Sequence, residues 1–206
     1  MKSLFLLIAG LMLSTLSLAD DISPDVLIKN VTNEVLEIVR KDKEIQSGNT
    51  KKATELIELK VLPNFNFTRM TQKALGSNWI KANATQQKQL TDELRTLLVR
   101  IYSTTLTQYK DQEISFREFV LKPGETEVKV RTVIKQKNGA APIPVDYWLE
   151  KSATGWKAVD IDVSGVSLLA NYKGEFVSVV RNDGFDGLIK YLQAKNKTGE
   201  TAPTKK

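Results

Sequence analysis

The sequence predicts an α+β fold, with an antiparallel sheet of about four strands packed against several helices. Three observations carry that expectation. Apolar residues recur at helical spacing up to about Lys110, the period then drops to two, and helical spacing returns after Val166. The candidate strands are joined by short, turn-rich links, which favour antiparallel neighbours. Helices, then a run of strands, then helices is the element order of an α+β domain.

The chain opens with Lys2, the apolar run LFLLIAGLMLSTLSL and the small residues Ser17-Leu18-Ala19, followed by Asp20-Asp21. This is the pattern of a secretory signal peptide spanning residues 1–19, cut after Ala19. The run is too short for a membrane anchor, which takes roughly 20 apolar residues. A single exported domain over 20–195 is expected, with a disordered tail over 196–206, where NKTGETAPTKK has almost nothing to bury.

Pro24 to Lys41 carries Val31, Val35, Ile38 and Val39 at helical spacing after Ser23-Pro24, a start signal with proline in the first turn. A second helix is expected from about Thr50 to Val61, interrupted by Pro63. NFNFTRMTQKAL forms a third, ending at Gly76. The longest begins at Asn83, with Gln86 three residues on as in a capping box, and carries Leu90, Leu94, Leu97, Leu98, Ile101, Tyr102, Leu106 and Tyr109. That face is too wide for a coiled-coil seam.

EISFREFVL, EVKVRTVIK, IPVDYWLE and WKAVDIDV read as four strands, separated by Pro123-Gly124, Asn138-Gly139 and Thr154-Gly155. Val128, Val130, Thr132 and Ile134 share one face of the second strand. Ile143, Val145, Tyr147 and Leu149 share one face of the third. Two helices, Val166 to about Arg181 and Phe185 to about Ala194, close the domain with Asn182-Asp183-Gly184 between them.

The chain has no cysteine and no histidine. Disulfides, thiol catalysis, the usual zinc and copper sites and Ser-His-Asp nucleophile systems are thereby excluded. A net charge of +6 would suggest nucleic acid in a cytosolic protein. Export argues against that partner, so the charge reads as a solvated surface or as attraction to anionic membranes or an acidic protein. Ser164-Gly165-Val166-Ser167, at the join of a strand and a helix, invites comparison with a nucleophile elbow. Leu169 stands where G-x-S-x-G needs its second glycine, and no S-x-x-K motif follows the signal peptide. The competing reading has Ser164 capping the helix and Gly165 making the turn. Asp160 and Asp162 share a strand face, as a carboxylate pair for catalysis or metal would, or as the polar side of an amphipathic strand.

PIPVDYWLEKSATGWKAVDIDVSGVSLLANYKGEFVSVVRNDGFDGLIKYL resembles the C-terminal half of the MlaC family, also called toluene-tolerance or Ttg2-type proteins. The shared features are V-D-Y, G-W-K leading to an aspartate, G-V-S-L and G-x-D-G-L-I. L-P, L-G-x-x-W and T-x-x-Q elements match upstream, so the resemblance covers about residues 25–195. It implies a non-enzymatic, cofactor-free periplasmic protein whose 20–195 domain encloses phospholipid in an apolar cavity between sheet and helices. As implied partners it brings an inner-membrane ABC transporter complex with an MCE-type subunit and an outer-membrane lipoprotein complex. The implied role is lipid transfer between the two membranes, maintaining outer-membrane lipid asymmetry. Carried over to this sequence, the implied lipid-binding residues are Trp79, Leu98, Tyr102, Leu106, Val130, Thr132, Val145, Tyr147, Val166 and Leu169. Two other functions remain open: an exported serine hydrolase using Ser167, and a lipid-free periplasmic adaptor with a filled core.

Overall fold

The computed structural model describes residues 22–109, 112–136 and 140–199. The expected signal peptide and the Asn138-Gly139 turn lie outside them. Helix α1 spans Pro24–Lys41, α2 Lys43–Gln46 and α3 Thr50–Leu56. From α3 the chain continues as a π-helical turn, Ile57–Val61, and a 3-10 turn, Leu62–Asn64, around Pro63. Helix α4, Phe67–Leu75, ends at Gly76, whose φ of 57° suits glycine, and a 3-10 segment runs to Lys81. Helix α5, Ala84–Thr107, starts on the anticipated capping box: Asn83 accepts from the Gln86 N–H, and the Gln86 side chain accepts from the Asn83 N–H.

The sheet is an antiparallel meander in the order β1 (Glu113–Phe116), β2 (Glu127–Lys135), β3 (Ile143–Ser152), β4 (Gly155–Val163) and β5 (Val166–Ser167). Helix α6, Leu168–Thr198, follows. The α+β expectation holds, with a short fifth strand.

Three local expectations differ from the structure. The first strand was expected to reach Leu121 but stops at Phe116. Phe116 and Phe119 both pack against the cluster around Val128 and Leu149, and residues three apart cannot share a face in a strand of period two. The chain therefore turns away, leaving Val120 71% exposed. The second difference lies at Ser164-Gly165, where φ is positive at both residues, 52° and 80°. Such a pair forms a two-residue hairpin loop, so Val166 and Ser167 fold back onto Val163 and Asp162 as β5 and the helix begins two residues later than expected. The third concerns the start of the expected tail, of which residues 200–206 lie outside the described ones. Helical structure continues to Thr198, and the Asn196 side chain donates to the Glu93 carbonyl and carboxylate on α5, at 3.1 and 2.8 Å.

The expected break at Asn182-Asp183-Gly184 is an elbow within α6. Gly184 has φ 71° and ψ −173°, a region essentially confined to glycine. Tyr191 donates to Glu175, and Lys195 pairs with Glu175 at 3.2 Å. Residues 16 to 20 apart would stand about 24–30 Å apart on a straight helix at 1.5 Å per residue. The two arms are therefore folded against each other.

Buried side chains form three clusters. One joins α4, α5 and α6 around Met70, Leu94, Leu97, Tyr172, Phe176 and Leu188. A second lies between α1 and the sheet, with Ile28, Val128, Val130, Leu149 and Trp156. The third joins α1, α2 and α3 through Val35, Val39, Ile45, Ala53 and Leu56.

Candidate binding cavity

Where the three clusters meet, the side chains do not close on one another. A cavity of about 280 Å³ remains. One wall is α1, with Ile28, Val31, Thr32, Val35 and Leu36 at the i, i+3, i+4, i+7, i+8 spacing of a single helix face. Facing it are Ile57, Val61, Leu62 and Asn64 from the π-helical and 3-10 turns, then Phe65, Phe67 and Met70. The Asn64 amide donates to the Lys60 carbonyl at 2.9 Å, and Lys157 holds the Pro63 carbonyl at 2.7 Å, which ties this turn to β4. Helix α5 adds Leu98, Val99, Tyr102 and Leu106, the sheet adds Tyr147 and Ile161, and α6 adds Leu168. A Glu34–Lys60 ion pair, 2.6 Å long, joins α1 to the π-helical turn between side chains that are 50% and 32% exposed. It marks the outer seam between these two walls.

Among the described residues no charged side chain lines the cavity, and its polar side chains are those of Thr32, Asn64, Tyr102 and Tyr147. Burial pushes the Tyr102 hydroxyl up to about 12, with Tyr172 and Asp160 adding to the effect. Burial also raises Tyr147, partly offset by the Thr32 hydroxyl beside it. Both phenols stay neutral at any physiological pH. Such a lining favours hydrocarbon and opposes ions.

Of the ten residues implied by resemblance, Leu98, Tyr102, Leu106 and Tyr147 line this cavity; the other six do not. Val130 is covered in the cluster between α1 and the sheet. Val145 is buried, and the Thr132 hydroxyl donates to its carbonyl at 2.7 Å. Trp79 and Leu169 pack in the α4-α5-α6 cluster. Val166 is corrected most clearly, being 42% exposed on β5 because the hairpin loop turns it outward. The resemblance implied Val130, Thr132, Val145 and Tyr147 as the sheet's contribution to the cavity. Ile28, Leu27, Phe116 and Phe119 instead cover much of the inward sheet face, leaving Tyr147 and Ile161 as its cavity-lining residues.

The α1 and 57–67 walls were not anticipated as part of a site. Their signal was present in α1, whose apolar stripe is wider than one packing seam. The π-helical turn has no such mark, although turns of this kind recur at functional sites.

Ser167 lies outside the cavity lining, at the start of α6. Its Oγ accepts from the Ala170 N–H at 3.0 Å and donates to Asp160 Oδ2 at 2.5 Å. Asp160 also accepts from the N–H groups of Ile161 and Leu169, at 2.8 and 3.4 Å. Ser167 and Asp160 thus cap the helix together, a role the sequence reading had assigned to Ser164. Burial raises the Asp160 carboxyl above its ordinary value, against the opposing hydrogen bonds. Asp162 has other partners, Lys129 at 3.1 Å and the Trp148 indole N–H at 3.0 Å. The two aspartates therefore do not act as a pair.

The family model described as MlaC protein matches residues 29–194. The intermembrane phospholipid transport system binding protein MlaC of Haemophilus influenzae is 25% identical over 173 residues, covering 83% of this chain and 81% of that protein. Toluene tolerance protein Ttg2D of Pseudomonas putida is 21% identical over 189 residues, covering 90% and 84%. A phospholipid-binding protein from Ralstonia solanacearum, solved in complex with a phospholipid, superposes with a TM-score of 0.78 at 32% identity over 85% of this chain and 97% of its own.

Proposed function

This chain belongs to the MlaC protein family, and on that premise we propose that it is a periplasmic carrier that binds phospholipid and moves it between the inner and outer membranes. The observation that carries the reading is the uncharged cavity at the junction of the three clusters. Exposing a sixteen-carbon chain to water costs on the order of 12 kcal/mol at ~0.8 kcal/mol per methylene, so lipid does not cross an aqueous compartment unaided at a useful rate. A carrier removes that cost by burying the chains about as well as a bilayer does. Tighter burial would oppose delivery.

In this reading the protein is the soluble member of an ABC-transporter-linked system that maintains outer-membrane lipid asymmetry. It exchanges lipid with an inner-membrane complex containing an MCE-type subunit and with an outer-membrane lipoprotein complex. The step is binding and release, with phospholipid as cargo and no covalent chemistry. Native mass spectrometry of protein gently isolated from its own periplasm tests the proposal. A mass increment matching phospholipid is expected, and apo mass alone would overturn the carrier reading.

A further inference from the structure

The polar atoms of the cavity are unevenly satisfied. The Thr32 and Tyr147 hydroxyls lie together, and the Asn64 amide is held by the Lys60 carbonyl. Among the described residues the Tyr102 hydroxyl has no hydrogen-bond partner, although its side chain lines the cavity. The Tyr172 hydroxyl, on a side chain only 1% exposed, also lacks one. The two phenols come from packed helices, α5 and the first arm of α6, within the same cluster. The Tyr172 side chain lies in the cluster behind the lining, so the cavity itself presents one O–H donor, that of Tyr102, with no protein acceptor among the described residues.

We infer that Tyr102 sets the register and class of the cargo, its O–H donating to a carbonyl oxygen at the head of an acyl chain. The inference rests on the carrier reading above and adds ligand chemistry to it. A donor that faces the cavity loses its access to water when hydrocarbon fills the space, so an occupant that brings an acceptor is favoured over one that does not. The methyl end of a lipid tail brings none. A phosphate would bring acceptors but would have to shed its hydration inside an uncharged cavity, a far larger penalty. A carbonyl oxygen accepts a hydrogen bond, carries no net charge and is joined directly to the hydrocarbon that the apolar walls take. Since burial keeps Tyr102 protonated, its donor role does not change across physiological pH.

The test uses delipidated mature protein loaded from vesicles containing diester or diether phosphatidylethanolamine of the same chain length. Wild-type protein should retain the diester lipid about five-fold over the diether, the ratio expected for one neutral hydrogen bond. Tyr102→Phe should bring that ratio close to one. Methyl palmitate, which has the ester carbonyl without a phosphate or a charge, should displace diether lipid from wild type more readily than from Tyr102→Phe, and equal displacement from both would count against the inference. Equal retention of diester and diether by wild type, or an undiminished ratio in Tyr102→Phe, would overturn the inference and leave the carrier reading standing. Failure of both phospholipids to load would overturn both.

Discussion

At Ser167 and Val166, one residue apart, the structure assigns opposite surroundings. Ser167→Ala removes an acceptor for the Ala170 N–H, and such a cap is worth about 1 kcal/mol. The variant should unfold at slightly lower denaturant yet keep its extractable lipid and transfer rate. Loss of transfer in a folded, loaded Ser167→Ala protein would instead revive a nucleophile. Val166→Glu, on an exposed strand residue, should also keep its lipid, as thin-layer chromatography of extracts can show. Glu150 contributes to the pH behaviour. Burial pushes its carboxyl up, but Arg69 and Lys73, at 2.7 and 3.2 Å, outweigh this and hold it below the ordinary glutamate value. A lowered folded-state pKa gives stability that is present above the unfolded value, about 4.3, and is lost as pH falls through the folded one. Asp160, with its pKa raised, has the opposite sign, becoming relatively more favourable as pH falls. Glu150→Gln should cost about 1–3 kcal/mol at pH 7 and flatten the acid limb of a urea-denaturation series. A difference from wild type unchanged between pH 7 and pH 3, roughly spanning the titration of a glutamate, would refute this role.

At the scale of elements, α1 and the π-helical turn are opposing walls joined at the surface by Glu34 and Lys60. Val31 and Val35 flank Glu34, and Val61 follows Lys60; all three line the cavity. An exposed pair of this kind contributes at most about 1 kcal/mol, so the seam can part readily. The absence of cysteine makes a direct test available. With Glu34→Cys and Lys60→Cys introduced together, a short bismaleimide should join the walls and slow lipid exchange with vesicles by ten-fold or more, as separated walls are needed for entry. Exchange at the uncrosslinked rate would place the entrance elsewhere. The elbow of α6 serves the opposite purpose. Gly184 allows the fold, Gly187 leaves room for the Asp183 side chain, whose Cβ would lie 2.3 Å from an added Cβ, and the Glu175, Tyr191 and Lys195 contacts lock the arms.

For the molecule as a whole, three partial cores around a void replace the one filled core that composition suggests. Left without an occupant, a cavity of about 280 Å³ leaves its apolar lining without packing partners on one side. Occupancy by lipid should therefore appear as stability. Delipidated protein is expected to melt several degrees below loaded protein, with the loss reversed by reloading. Identical melting of the two forms would mean that the walls close by themselves.

The sequence by itself determined the class of fold, the helix starts at Pro24 and Asn83, the break at Gly184 and, through its lack of histidine and cysteine, most of the chemistry unavailable to the protein. These features are local: caps, glycine conformations, periodicity and composition act within a few residues. The family resemblance, carried over residue by residue, added Leu98, Tyr102, Leu106 and Tyr147, which line the cavity. Tertiary structure alone decided which buried residues meet one another and which meet the void. Val130 and Tyr147 are partners across β2 and β3 and pack with the same cluster, yet only Tyr147 also lines the cavity. A cavity is a failure of distant elements to fill the space between them. Periodicity records which face is apolar, but it holds no measure of the distance to whatever lies opposite.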